Sequence, residues 1–201
     1  MSDPDTIATL LWWLLGGVVF PAWLLSGFAD YACHARTDIA HTSGVHESAL
    51  HLLQTAEIGV PMLAFLFLEV NASVLLLMFA GVLLHTFSSW RDVRYAATLR
   101  VIPPFEQYVH SFLNVLPWMA LALVAVLHWP VVAGLFDPSI ASRWSLQLRE
   151  PAFDGAIVAA ILVASALLGV VPGLLEFART LAARRDDQRS SSSARSATNP
   201  R

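Results

Sequence analysis

Five stretches of the chain, roughly residues 7–28, 49–70, 71–90, 105–128 and 153–178, run apolar for the length of a membrane crossing. Each approaches the ~20 residues that a ~30 Å hydrocarbon layer demands of a helix. The chain is therefore read as an all-α integral membrane protein with five transmembrane helices. Composition agrees: 56% of the 201 residues are hydrophobic and 13% are charged, against about 25% charged in soluble domains. Five spans leave no room for a separate soluble domain. The expected organisation is one transmembrane domain over residues 1–180 and a cytoplasmic tail over 181–201, where Arg189-Ser190-Ser191-Ser192-Ser193-Ala194-Arg195 has the composition of disorder. The acidic start Met1-Ser2-Asp3-Pro4-Asp5 lacks the basic region of a secretory signal, so the first stretch is expected to stay as a helix. A single cysteine, Cys33, excludes an internal disulfide and argues against a thiolate cluster. The net charge of −3 implies no nucleic-acid partner.

Arginines set the orientation, since cytoplasmic loops near helix ends carry an excess of them. Arg91, Arg94 and Arg100 follow the third span, and Arg179, Arg184, Arg185, Arg189, Arg195 and Arg201 follow the fifth. Both groups are cytoplasmic if the N-terminus is outside. The expected location is a bacterial inner membrane, with the 129–152 connection external. Arg91, Arg94 and Arg100 are read as ordinary positive-inside residues, with an anionic headgroup as a lesser use. On this topology six of the seven histidines lie toward the cytoplasmic side; only His128 is at the opposite end.

The second span enters lipid as His46-Glu47-Ser48-Ala49-Leu50-His51-Leu52-Leu53-Gln54-Thr55-Ala56-Glu57. At 100° per residue, Glu47, His51, Gln54 and Glu57 share about a third of the helix circumference. Ionisable groups inside a membrane normally face a bundle interior and find a partner there. Glu57 lies twelve residues from Glu69, about 18 Å along the axis, so a solvated reading fails for it. Three other segments offer matching chemistry: Asp30/His34, His85/Asp92 and Glu106/His110. Three of the four place an acid four residues before a histidine, hence on one helix face.

Together these residues amount to four histidines and five carboxylates from four helices, with His46 at the mouth of the second helix as a further ligand. That is the donor count of a dinuclear site. Imidazole and carboxylate without thiolate suit iron, manganese or zinc. The expected ligands are Asp30, His34, His46, Glu47, His51, Glu57, His85, Asp92, Glu106 and His110. Gln54 and Ser89 are expected to hydrogen-bond them. The fifth span, with no ionisable residue between Asp154 and Glu176, is expected to pack outside the polar cluster.

The pattern is similar in architecture to ferritin-like di-iron and di-manganese bundles, which carry inward Glu residues and Glu-x-x-His pairs on four helices. Here the spacing is one residue longer and histidine is more abundant. Membrane hydroxylases and desaturases also resemble it in using cytoplasmic-side histidines, but their clustered His boxes are absent. The expected function is a di-iron oxidoreductase that hydroxylates or desaturates a lipid-soluble substrate with O₂ and electrons from a cytoplasmic donor. The alternative is a zinc hydrolase of lipid amides or esters, with Glu57 or Glu47 as general base. A haem-binding electron carrier or a metal transporter fits the pattern less well.

Overall fold

The computed structural model describes residues 3–137, 139 and 143–197. Met1, Ser2 and residues 198–201, the ends of the expected domain and tail, lie outside the described residues. Among the described residues, five helices are long and apolar enough to cross a membrane: Asp5–Arg36, Gly44–Phe67, Ala72–Ala96, Pro104–Leu127 and Gly155–Ser192. A short helix, Trp129–Phe136, follows the fourth. Among the described residues there is no strand, only an isolated bridge between Leu68 and Leu148.

The helix limits have local causes. Asn71 caps the third helix by accepting from the Val74 amide at 3.1 Å, and Asp154 caps the fifth through the amides of Ala156 and Ile157. Pro103 and Pro104 open the fourth helix, seven residues after the third ends at Ala96. Ser43 stands at the cap position of the second helix but makes no capping bond. Gly44, at φ +60°, supplies the left-handed turn there.

The third helix is the most enclosed, with half of its most apolar window buried. It lies close against the second because Gly81 presents no side chain. A Cβ at that position would stand 2.5 Å from the Glu57 carbonyl oxygen and from Pro61 Cγ. Small residues permit this kind of approach in lipid, where apolar surface alone provides no drive for helices to associate.

The expectation for the fifth helix is overturned. It packs along the second and first helices and carries Glu176 into the polar cluster. Gly173 makes the approach possible, since a Cβ there would meet Leu52 at 3.2 Å. The last helix is continuous from Val171 to Ala197, over most of the stretch expected as a tail. Ser190, Ser191 and Ser192 turn their hydroxyls back onto the carbonyls of Asp186, Gln188 and Arg189 instead of competing for other backbone groups.

The two ends of the bundle differ. One carries the 37–43 and 97–103 connections and the C-terminal arm. At the other, an extended segment pairs its backbone with the turn between helices two and three, through Glu69 to Gln147, Ala72 to Arg143 and Arg149 to Phe67. Arg149 also stacks its guanidinium over Phe65 and Phe153.

Candidate metal centre

All five long helices deliver polar side chains to the first of these ends. Asp30 and His34 come from the last turns of the first helix, and Glu47 and His51 from the first turns of the second. Asp92 ends the third, Glu106 and His110 open the fourth, and Glu176 comes from the fifth. The i, i+4 spacing explains why each acid–histidine pair arrives on one face. Glu106 is 0% and His34 1% exposed, and Asp30, Glu47, Asp92 and Glu176 are buried with them.

Two groups of donor atoms converge here within 4.8 Å of one another: Asp30, His34, Glu106 and His110, and then His34, Glu47 and His51. In the first, His34 Nε2 lies 3.5 Å from Asp30 Oδ1 and 3.4 Å from Glu106 Oε1. His110 Nε2 lies 3.0 Å from Asp30 Oδ1 and 4.0 Å from Glu106 Oε1. A cation about 2.0–2.2 Å from nitrogen and oxygen donors separates them by about 3.3–3.6 Å in a tetrahedron and about 3 Å in an octahedron. The spacing therefore fits ligands around one ion. Asp30 Oδ1, His34 Nε2 and His110 Nε2 are buried and make no hydrogen bond. They approach one another without hydrogen-bond alignment, as donors facing a common point do.

Glu176 sets the imidazoles. Its two oxygens take His34 Nδ1 at 3.0 Å and His51 Nδ1 at 2.8 Å. The rings stack in parallel, 7° apart with centroids at 4.5 Å. In the neutral tautomer that donates Nδ1–H to Glu176, His34 carries its lone pair on Nε2, the form a metal binds. His51 Nε2 lies 2.9 Å from Asp92 Oδ2, which also accepts from Gln54 at 3.3 Å.

Arg100 supplies a fixed positive charge. Its guanidinium bridges Glu47 and Glu106, engaging both oxygens of each. Burial opposes the arginine's charge, but hydrogen bonds to Glu106 and Glu47 outweigh it and raise its pKa further above the ordinary arginine value. The side chain is 4% exposed, so Arg100 is committed to these two carboxylates instead of standing free to hold a headgroup.

Several expected ligands are not drawn into either group. Glu57 accepts from Ser88 at 2.6 Å, and His85 Nε2 donates to the Leu113 carbonyl at 3.2 Å. His46 packs edge-on to Tyr95, with ring centroids 4.4 Å apart. Ser89 accepts from Asn114 at 2.9 Å. A hydroxyl or carbonyl on a neighbouring helix thus meets the need for a partner that burial imposes on Glu57 and His85. Asp92 stands one residue outside the convergent sets, through His51. At the surface, the hydrogen bond that His41 Nδ1 donates to the Asp38 carboxylate raises the pKa of His41 above the usual imidazole value.

Glu176 and Arg100 were missed because each follows a featureless context. Glu176 stands alone beyond twenty-one residues without a charge, and Arg100 lies in a loop that positive-inside logic already explains. Only the count of buried carboxylates against cations would have pointed to Arg100. Comparison with known proteins finds no family model, curated protein or solved structure that matches this chain.

Proposed function

We propose that this protein is a membrane-embedded, metal-dependent oxidoreductase acting on a lipid-soluble substrate, with its metal centre at the cytoplasmic end of the bundle. The observation that carries the reading is His34: its Nδ1 is committed to Glu176, while its buried Nε2 faces Asp30 and Glu106 without a hydrogen bond. Charge supports it. Asp30, Glu47, Asp92, Glu106 and Glu176 are buried around the Arg100 guanidinium, which leaves four formal negative charges when the imidazoles are neutral, as metal ligands are, and one when His34, His51 and His110, each paired with these carboxylates, are protonated. Such charge is costly unless cations offset it, and two divalent ions would do so.

Asp30, His34, Glu106 and His110 hold the first ion. The second donor group, His34, Glu47 and His51, shares His34 with the first, so a second ion would fall to Glu47 and His51 once His51 Nε2 is released from Asp92, with Arg100 sharing Glu47. Imidazole and carboxylate donors suit iron, and bound iron would supply O₂ activation. The chain's own residues bind and orient: Glu176 fixes both rings, Arg100 holds Glu47 and Glu106 apart from solvent, and Gln54 steadies Asp92. In a hydroxylation, one oxygen atom enters a substrate C–H bond and the other leaves as water. Two electrons and two protons come from a reductant. Arg91, Arg94, Arg179, Arg184, Arg185 and Arg189 lie at the same end as the centre, which favours the cytoplasmic side and access for a soluble donor.

A zinc hydrolase is the second reading, because a site of two imidazoles and two carboxylates also suits zinc. A haem between paired histidines is not favoured: the His34 and His51 rings face each other rather than aiming Nε2 at one centre. Elemental analysis and optical spectroscopy of detergent-purified protein separate these outcomes. Iron with a near-ultraviolet oxo-bridge band that bleaches on reduction supports the proposal. Zinc alone moves the assignment to hydrolysis, and absence of any metal refutes both.

A further inference from the structure

Beyond the polar cluster the bundle is not filled. A cavity of about 800 Å³ opens between the helices, at the large end of the range for small-molecule sites. All five long helices line it, through residues such as Trp12, Trp23, Met62, Met78, Leu121 and Ala164. Along the first helix the lining runs from Thr9 to Trp23, about 21 Å at 1.5 Å per residue. That is the reach of a long hydrocarbon chain, not of a compact ligand. A second pocket of about 90 Å³ adjoins the cluster, lined by Asp30, His34, His51 and Glu176. Trp23 belongs to both walls.

Two further features mark the junction. The indole Nε1 of Trp23 is buried without an acceptor, and a buried donor left unpaired is costly. The first helix also widens into a π-helical turn at Leu15–Val19, whose Leu15, Gly16, Gly17 and Val19 line the apolar cavity. A matching turn at Ala166–Val170 brings Gly169 to the polar pocket. Such turns are frequent at functional sites.

We infer that the cavity is the binding site for one lipid bearing a long unbranched or isoprenoid chain and an oxygen function. The chain lies between Thr9 and Trp23, and the oxygen accepts from Trp23 Nε1 beside the His34–His51 pocket. The inference deepens the functional proposal by naming the substrate class, and it rests on that reading for its catalytic meaning alone. Binding itself requires no metal.

A diazirine-bearing palmitic acid photolabels the full-length protein in nanodiscs, and labelled peptides are mapped by mass spectrometry alongside metal content. Labels are expected on Met62, Met78 and Leu121, with competition by oleyl alcohol. Ala164→Trp, or independently Gly16→Phe, fills the space and lowers labelling roughly tenfold with metal content unchanged. A Cβ at Gly16 meets nothing within 4 Å, so the second variant guards against misfolding of the first. Trp23→Phe weakens competition by oleyl alcohol several-fold and leaves that by hexadecane unaltered. Labels spread evenly over the lipid-facing exterior, or undiminished in both filled variants, overturn the inference. Specific labelling of a protein without metal keeps the cavity assignment and removes the metal centre.

Discussion

The cluster end and the apolar half of the bundle obey opposite packing rules. At the cluster, side chains from five helices close on one another until Glu106 and His34 are all but sealed. A few turns away the same helices part around about 800 Å³ of space. The reason lies in the solvent. A carboxylate or imidazole in hydrocarbon has no partner except another protein group. Leucine has no such need, because lipid tails are as apolar as its neighbours. Polar residues therefore determine where the helices converge, and small residues such as Gly81 tune the remainder.

Removing the guanidinium should break this contrast most strongly. Arg100→Gln leaves Glu47 and Glu106 buried without their cation, at a cost of about 3–5 kcal/mol, read as a lowered thermal midpoint in detergent. Added iron or zinc should restore part of the loss if the site takes cations. A change that metal does not relieve would make the cluster an ion-pair network only. Glu176→Gln preserves shape but can accept from one imidazole instead of two. Metal affinity, measured by chelator competition, should fall about 10–100-fold with little change in melting.

The comparison sharpens in the apolar half. Gly81→Ala forces a methyl against the Glu57 carbonyl and Pro61, and overpacking of this kind costs about 1–3 kcal/mol. Thermal unfolding should register it while metal content stays constant. His46→Ala should do least. His46 packs edge-on to Tyr95 and belongs to neither donor group, so stability should move by no more than about 0.5 kcal/mol and bound metal not at all.

Much of this architecture was legible in the chain. Length and apolarity marked the five long helices, and the paired prolines at 103–104 marked a break. The acid–histidine spacing of Asp30/His34, Glu47/His51 and Glu106/His110 identified the faces that meet. Depth told less about Glu57 and His85, which lie in neither donor group. Burial says that such a group has a partner but not which one, and Ser88 and the Leu113 carbonyl sufficed. Glu176 was invisible for the converse reason: a lone acid near a helix end looks interfacial until a neighbouring helix brings two imidazoles to it. Helix order in the bundle, set by close approaches at Gly81 and Gly173, has no periodic signature.

Anomalous X-ray diffraction at the iron and zinc edges, on crystals of the intact protein, tests the central claim most directly. The expected result is a peak about 2.0–2.2 Å from His34 Nε2, ringed by Asp30, Glu106 and His110. No peak there, with His34 Nε2 hydrogen-bonded to Glu106 instead, would contradict it.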